Sequence, residues 1–412
     1  MKWFFGIVLC TLTYSFSQAQ TYNLDHYLEI ARANSPLLKD LKNQVALSQL
    51  DSLRLKAGYK TQVTANTGGL YAPVVRGVGY ASAITNVHTL NALLGVNQSI
   101  VSKGYVSAQL QSIALQRDSI INSSNVSEQD LKKAIIGQYI TAYGSLQQML
   151  FSQQVVDLLN KEEDILKRLT RANVYKQSDY LTFLVTLKQQ QLQLLQARQQ
   201  YKNDYSTLNY IAGILDTGMV TLDAPGIQKT LPPTDLNSSI YYQKFRLDSL
   251  RLLNSRKLIG FAYQPKTNVF ADGGFNSDFE TQVYKNFGAS VGFSLSIPIY
   301  DGGQRKLQYK RLALEEETRQ SYKAFFDVQY RQQVAQLSQQ INDNENLFGQ
   351  INDQIKYSES LIKADTEQLQ TGDLKIADLI LAINNYLTVK NLKTQTEVNR
   401  LQLINQLNYW NK

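Results

Sequence analysis

From Phe287 to Ile299 every second residue is apolar: Phe287, Ala289, Val291, Phe293, Leu295, Ile297 and Ile299. The residues between them from Gly288 to Ser296 are all glycine or serine. A period of two with one oily and one small, mildly polar face predicts a β-strand over about 287–300. Its length is enough to cross a tilted bilayer, which takes roughly 9–11 residues. Pro298 has no N–H for a ladder, and Gly302 and Gly303 behind Asp301 permit positive φ, so the strand stops here. From Gln304 the pattern becomes polar and helical. Val291, Phe293, Leu295 and Ile297 are thus candidates for a lipid-facing strand, and Pro298, Gly302 and Gly303 for a strand-helix junction. On its own the stretch fits an edge strand of a soluble sandwich equally well.

The rest of the chain sets this strand in a duplicated frame. Leu24 to Ala33 reads as a short helix, interrupted by Asn34-Ser35-Pro36 and restarted with Ser35 as N-cap and Pro36 at the first helical position. Alternation predicts strands over about 59–71 and 90–102, joined by a glycine-rich loop. A helix follows over about 104–172. Within it Ile135, Ala142, Met149 and Val156 recur every seven residues with Tyr139 and Leu146 between them, a coiled-coil seam. Another helix covers about 178–212, and 213–235, with Pro225, Pro232 and Pro233, is an irregular linker. The order then repeats: a helix over 238–260, strands over about 261–275 and 287–300, long helices over about 304–370 and 373–410. The two structural repeats are 20–212 and 236–412.

Landmarks recur at an offset of about 199 residues: Leu208-Asn209-Tyr210 with Leu407-Asn408-Tyr409, Asp179 with Asp378, and Asn173 with Gly372. Asparagine and glycine take the left-handed conformation most readily, so Asn173 and Gly372 mark the same reversal between a long helix and its partner. Each long helix of ~66–69 residues would span roughly 100 Å at 1.5 Å per residue. Four strands cannot close a barrel, since single-chain bacterial barrels start at about 8. Open edges are not tolerated in lipid, so the chain is expected to oligomerise.

Composition sharpens the compartment. Lys2, the apolar run from Trp3 to Leu12 and Ser17-Gln18-Ala19 read as a signal peptide over 1–19, which carries away the single cysteine, Cys10. The remaining chain has no run of 18 apolar residues, which leaves a periplasmic protein or an outer-membrane β-barrel. The net charge of +8 is spread along helices, which gives no support to a nucleic-acid partner.

The residues also give little to an enzyme. His26 and His88 stand far apart, and no phosphate-binding loop, Gly-x-Ser-x-Gly or His-Glu-x-x-His occurs. Asp272 to Asp278 faintly suggests a calcium loop, although a polar hairpin tip fits it better. No metal or cofactor is expected. Asp179 and Asp378 have two open readings, charges that complement a helix start or groups that line a pore. The tyrosines near the strand ends, Tyr59, Tyr71, Tyr80, Tyr263 and Tyr284, fit an interfacial belt or scattered packing.

In this frame the sequence resembles the TolC-like outer membrane efflux protein family along essentially the whole chain after the signal. The likeness is carried by Ala33-Asn34-Ser35-Pro36, by Ser294 through Gly303, by Gly372 through Asp378-Leu379, and by Leu403 through Asn408. It implies a mainly α fold with a small transmembrane β-barrel, built as a homotrimer of twelve strands and a twelve-helix periplasmic tunnel. It also implies a passive exit duct of a tripartite efflux or secretion system, anchored in outer membrane lipid. A periplasmic adaptor and an inner-membrane transporter would be its partners. By resemblance Asp378 and Asp179 fall at acidic positions of a pore constriction. Leu381 stands where a second acid is expected, and Leu374 and Leu369 stand where an arginine and a tyrosine are expected. A general porin or a trimeric coiled-coil adhesin is the competing reading; a porin would be strand-rich, and an adhesin would have uninterrupted heptads.

Overall fold

The structure, a computed structural model, describes residues 23–81, 88–216, 218–231, 239–278 and 283–412. The expected signal peptide lies outside the described residues, as do Pro232 and Pro233 of the expected linker. The elements are α1 (Leu24–Asn34), α2 (Pro36–Gly58), β1 (Gln62–Tyr71), β2 (His88–Ile100), α3 (Lys103–Arg171) and α4 (Gln177–Ala212). After the linker come α5 (Ile240–Ala262), β3 (Lys266–Ser277), β4 (Phe287–Ser296), α6 (Gln304–Thr371) and α7 (Ile376–Tyr409). By contact, the described residues fall into two compact units, and neither is a repeat. One takes its residues from Leu37–Val126 and Asp235–Gln329, the other from Met1–Pro36, Ser127–Thr234 and Tyr330–Lys412.

The first unit holds one antiparallel sheet in the order β1-β2-β3-β4, so the hairpins of the two repeats join through β2 and β3. That junction is close. A Cβ on Gly274, whose φ is 153°, would lie 2.1 Å from the Ala92 carbonyl oxygen. Three strand boundaries differ from the expected ones by three residues or more. The strand expected to start at 261 starts at Lys266, because Phe261 stays on α5 and packs over Gly104, where a Cβ would meet its ring at 2.8 Å. Pro265 then separates helix from strand. The first strand begins at Gln62, since Tyr59 remains in the turn that closes α2 and its hydroxyl binds Gln109 on α3. β4 ends at Ser296, before Pro298, so Ile297 lies beyond the ladder. Asp301 then starts α6 by accepting the N–H groups of Gly303 at 2.9 Å and Arg305 at 2.7 Å.

In the second unit the seam of α3 is buried as its spacing implies: Ile135, Tyr139 and Ala142 are fully enclosed and Leu146 nearly so. They pack with Tyr27 and Ala31 of α1, Tyr201, Tyr205 and Leu208 of α4, and Leu222 of the linker. The linker is irregular but tightly held. Tyr139 donates to the Asp223 carbonyl at 2.8 Å, and the Tyr201 hydroxyl donates to that of Val220. The duplicated Leu-Asn-Tyr motif explains itself here. Asn209 donates to the Asp216 carbonyl at 3.1 Å, and Asn408 binds the Gln228 carbonyl at 2.7 Å and the Thr230 N–H at 2.9 Å. Each copy of the motif ends its helix by pinning one end of the linker, which satisfies backbone groups that no ladder would.

Candidate functional site

Two regions could serve a conduit, one in each unit. In the sheet the register alone sorts the side chains, because residues two apart share a face. One face carries Val63 and Ala65 of β1, Leu90 to Val96 in alternation on β2, Val269, Ala271 and Phe275 of β3, and Phe287 to Leu295 in alternation on β4. It is largely apolar, with Thr67, Gln98, Thr267 and Ser277 as polar exceptions, and it is open: Val291 is 81%, Phe293 75% and Leu295 55% exposed. Outside the strand, Ile297 is also exposed. The opposite face is mostly asparagine, serine, threonine and glycine. No described helix is long and apolar enough to cross a membrane. A closed β-barrel is the other structure that can, and its wall needs one apolar and one polar face, the pattern of this sheet.

In the second unit the α3-α4 and α6-α7 reversals are built alike. Asn173 has φ 64° and Gly372 φ 85°. Val174 donates to the Leu169 carbonyl at 2.9 Å, and Asp373 to that of Gln368 at 3.2 Å, the closure of a helix ended by a left-handed residue. The two turns touch: a Cβ on Gly372 would lie 2.7 Å from Cγ1 of Val174. Under them Leu166, Tyr175, Phe183, Leu369, Ile376 and Leu379 form a buried core.

This core divides the expected constriction residues. Leu374 is a core residue, 6% exposed among these side chains, and offers no surface to a pore. Leu381 is 60% exposed, and Asp378, one helical turn before it, is exposed on the same side of α7. Asp179 is half-buried and accepts the Lys176 N–H at 3.3 Å, closing the first turn of α4. Asp378 and Leu381 thus share an exposed side of α7, Leu374 is buried, and Asp179 is engaged in the first turn of α4.

Two acids under these turns were not anticipated. Glu162 follows Leu159 and precedes Leu166 in the α3 seam, a position that four-and-three spacing reserves for an apolar residue. It is 3% exposed; burial pushes its carboxyl up, against a 3.5 Å hydrogen bond from Thr366 of α6. Asp365 of α6, spaced three and four residues from the buried Ile362 and Leu369, is also buried, and burial with the charge of Asp378 pushes its carboxyl up. Continuing the heptads from Ile135 and Tyr139 lands on Glu163 and Asn160, one residue or more away from Glu162, because the buried side has moved round to Leu159 and Leu166 in this part of α3. Among the described residues no group of three or more His, Cys, Asp or Glu side chains is placed to hold a metal ion.

No family model and no curated protein sequence matches the chain. Solved structures match it in fold over nearly its full length. The outer-membrane channel OprN is 13% identical, with 94% of this chain and 90% of that one covered and a TM-score of 0.74. The outer membrane protein VceC of Vibrio cholerae is 12% identical, with 94% and 96% covered and a TM-score of 0.74. The CmeC outer membrane channel of Campylobacter jejuni is 11% identical, with 94% and 86% covered and a TM-score of 0.73. The chain has the fold of the TolC-like outer membrane channels.

Proposed function

We propose that three copies of this chain form a passive exit duct through an outer membrane and its periplasm. The observation that carries this reading is the sheet, largely apolar on one face, polar on the other, and ending at β1 and β4 with no further strand among the described residues. Free edges are excluded from hydrocarbon. Since a barrel takes at least about 8 strands, further copies must supply the partners. Three copies give twelve strands, the number that the family resemblance implies. The helices joined to the edge strands support the same contact. α2, which leads into β1, exposes Leu47, Leu50 and Leu53, and α6, which leaves β4, exposes Leu314, Tyr322 and Phe325. These stripes would meet when β1 of one copy pairs with β4 of the next. In this reading lipid covers the apolar face, a periplasmic adaptor grips the turns at Asn173 and Gly372, and an inner-membrane transporter delivers the cargo. The duct works by geometry and makes no bonds.

Full-length protein in planar bilayers tests this reading. Discrete conductance steps are expected, and their absence contradicts the duct. Three Asp378 carboxylates brought near one axis repel one another and attract cations. Asp378→Asn should therefore lower cation selectivity and weaken block by multivalent cations. Unchanged selectivity and block in a conducting variant would make Asp378 a helix-start charge and leave the narrowing to Leu381.

A further inference from the structure

The register that gives the sheet its apolar face also fixes what stands on the other. The polar face carries Asn66, Asn91, Asn97, Asn268 and Asn276, with serines, threonines and glycines between them and Leu70, Leu93 and Phe270 as its apolar exceptions. Such a wall binds water and solutes through amides and hydroxyls, and these groups carry no net charge. Among the strand residues on this face two are charged, both on β3: Lys266 at the end next to α5, and Asp272 near the middle of the strand.

The surroundings of Asp272 leave its charge uncompensated. Its register neighbours are Gly95 on β2 and Ser290 on β4, neither of which carries charge. The Ser290 hydroxyl donates to Asp272 Oδ2 at 2.7 Å, which fixes the carboxylate on the polar face. Among the described residues Asp272 makes no ion pair with a lysine or arginine. Lys266, on the same face of the same strand, stands roughly 20 Å away at ~3.3 Å per residue. That is about twice the ~10 Å Debye length of 0.1 M salt, so its charge is largely screened from Asp272.

We propose that Asp272 is a selectivity-determining residue of the duct, giving the sheet's wall a preference for cationic over anionic solutes. The inference rests on the exit-duct reading, in which three copies set three Asp272 carboxylates around one lumen at one height. Rings of acidic side chains favour cations in this way, and low-dielectric walls strengthen their field. Because the remaining wall is neutral, the sign of the preference is set by Asp272 and opposed, nearer the helices, by Lys266. The cargo class this wall suits is polar and either cationic or uncharged.

The test is the reversal potential of full-length protein in planar bilayers under a potassium chloride gradient, made in an Asp378→Asn background so that the other acid does not dominate. Asp272→Asn keeps an oxygen for Ser290 and removes the charge. It should reduce the potassium-to-chloride permeability ratio by about 2-fold or more near 0.1 M salt, and by much less near 1 M, where the Debye length is ~3 Å. Lys266→Gln should shift the ratio in the opposite direction. A ratio unmoved by Asp272→Asn in channels of normal conductance overturns the inference and leaves the duct standing. If the unmodified chain does not conduct, the duct reading fails and the inference falls with it.

Discussion

Phe293→Arg should strip the protein from the membrane, whereas Ser294→Arg, its immediate neighbour, should leave assembly intact and change conductance. The two side chains point to opposite faces: Phe293 stands beside Val269 on the apolar face, Ser294 beside Asn268 on the polar one. Arginine on the lipid face costs about 2–4 kcal/mol near the bilayer midplane and falls toward ~0–1 kcal/mol at the interfaces. An assembly of three copies carries that cost three times. The register adds an internal gradient. Phe293 lies nearer the middle of β4, while Leu295 pairs with Thr267 close to the helical end, so Leu295→Arg should cost less than Phe293→Arg. Yield of assembled protein in the membrane fraction, with single-channel conductance for what assembles, measures both. Equal loss from all three substitutions would mean that the faces are assigned wrongly.

Gly372→Val should distort the α6-α7 turn and leave the sheet unchanged. Two causes act together. A φ of 85° is one that a β-branched residue rarely adopts, and holding a non-glycine residue in such a region costs about 1–3 kcal/mol. The new Cβ would also lie 2.7 Å from Cγ1 of Val174 on the facing turn, so the turns must separate. Exposing the core of Leu166, Leu369 and Leu379 below them follows from that separation. Hydrogen exchange should speed up in the residues flanking Asn173 and Gly372 and stay slow in β1 to β4. Unchanged exchange at the turns would show that the contact between them is slack. Gly372→Ala in a Val174→Ala background relieves the contact but keeps the backbone conflict, and should fall between the two.

Much of this was legible in the sequence because the signals were periodic. The alternation of β4 placed its faces, the heptads of α3 placed its buried seam, and the left-handed preference of Asn173 and Gly372 placed both reversals. What periodicity does not encode went unread. Phe261 carries the aromatic, strand-favouring character of its successors, yet a contact with Gly104, distant in sequence, keeps it on α5. Leu374 stands where family resemblance expects an arginine at the constriction, but the reversal folds it into the core before α7 begins. Glu162 and Asp365 were passed over because charged residues on a helix usually mark its solvated side. The grouping of contacts also differs from the repeat: each compact unit draws on both halves of the chain, since duplicated segments pack on each other as well as on their sequence neighbours.

The central claim, a membrane duct made of three copies, is tested most directly by cross-linking the full-length chain in intact cells and then separating membrane from soluble fractions. The account predicts a ladder that ends at three copies, recovered with the outer membrane. A single-copy species in the soluble periplasmic fraction would contradict it.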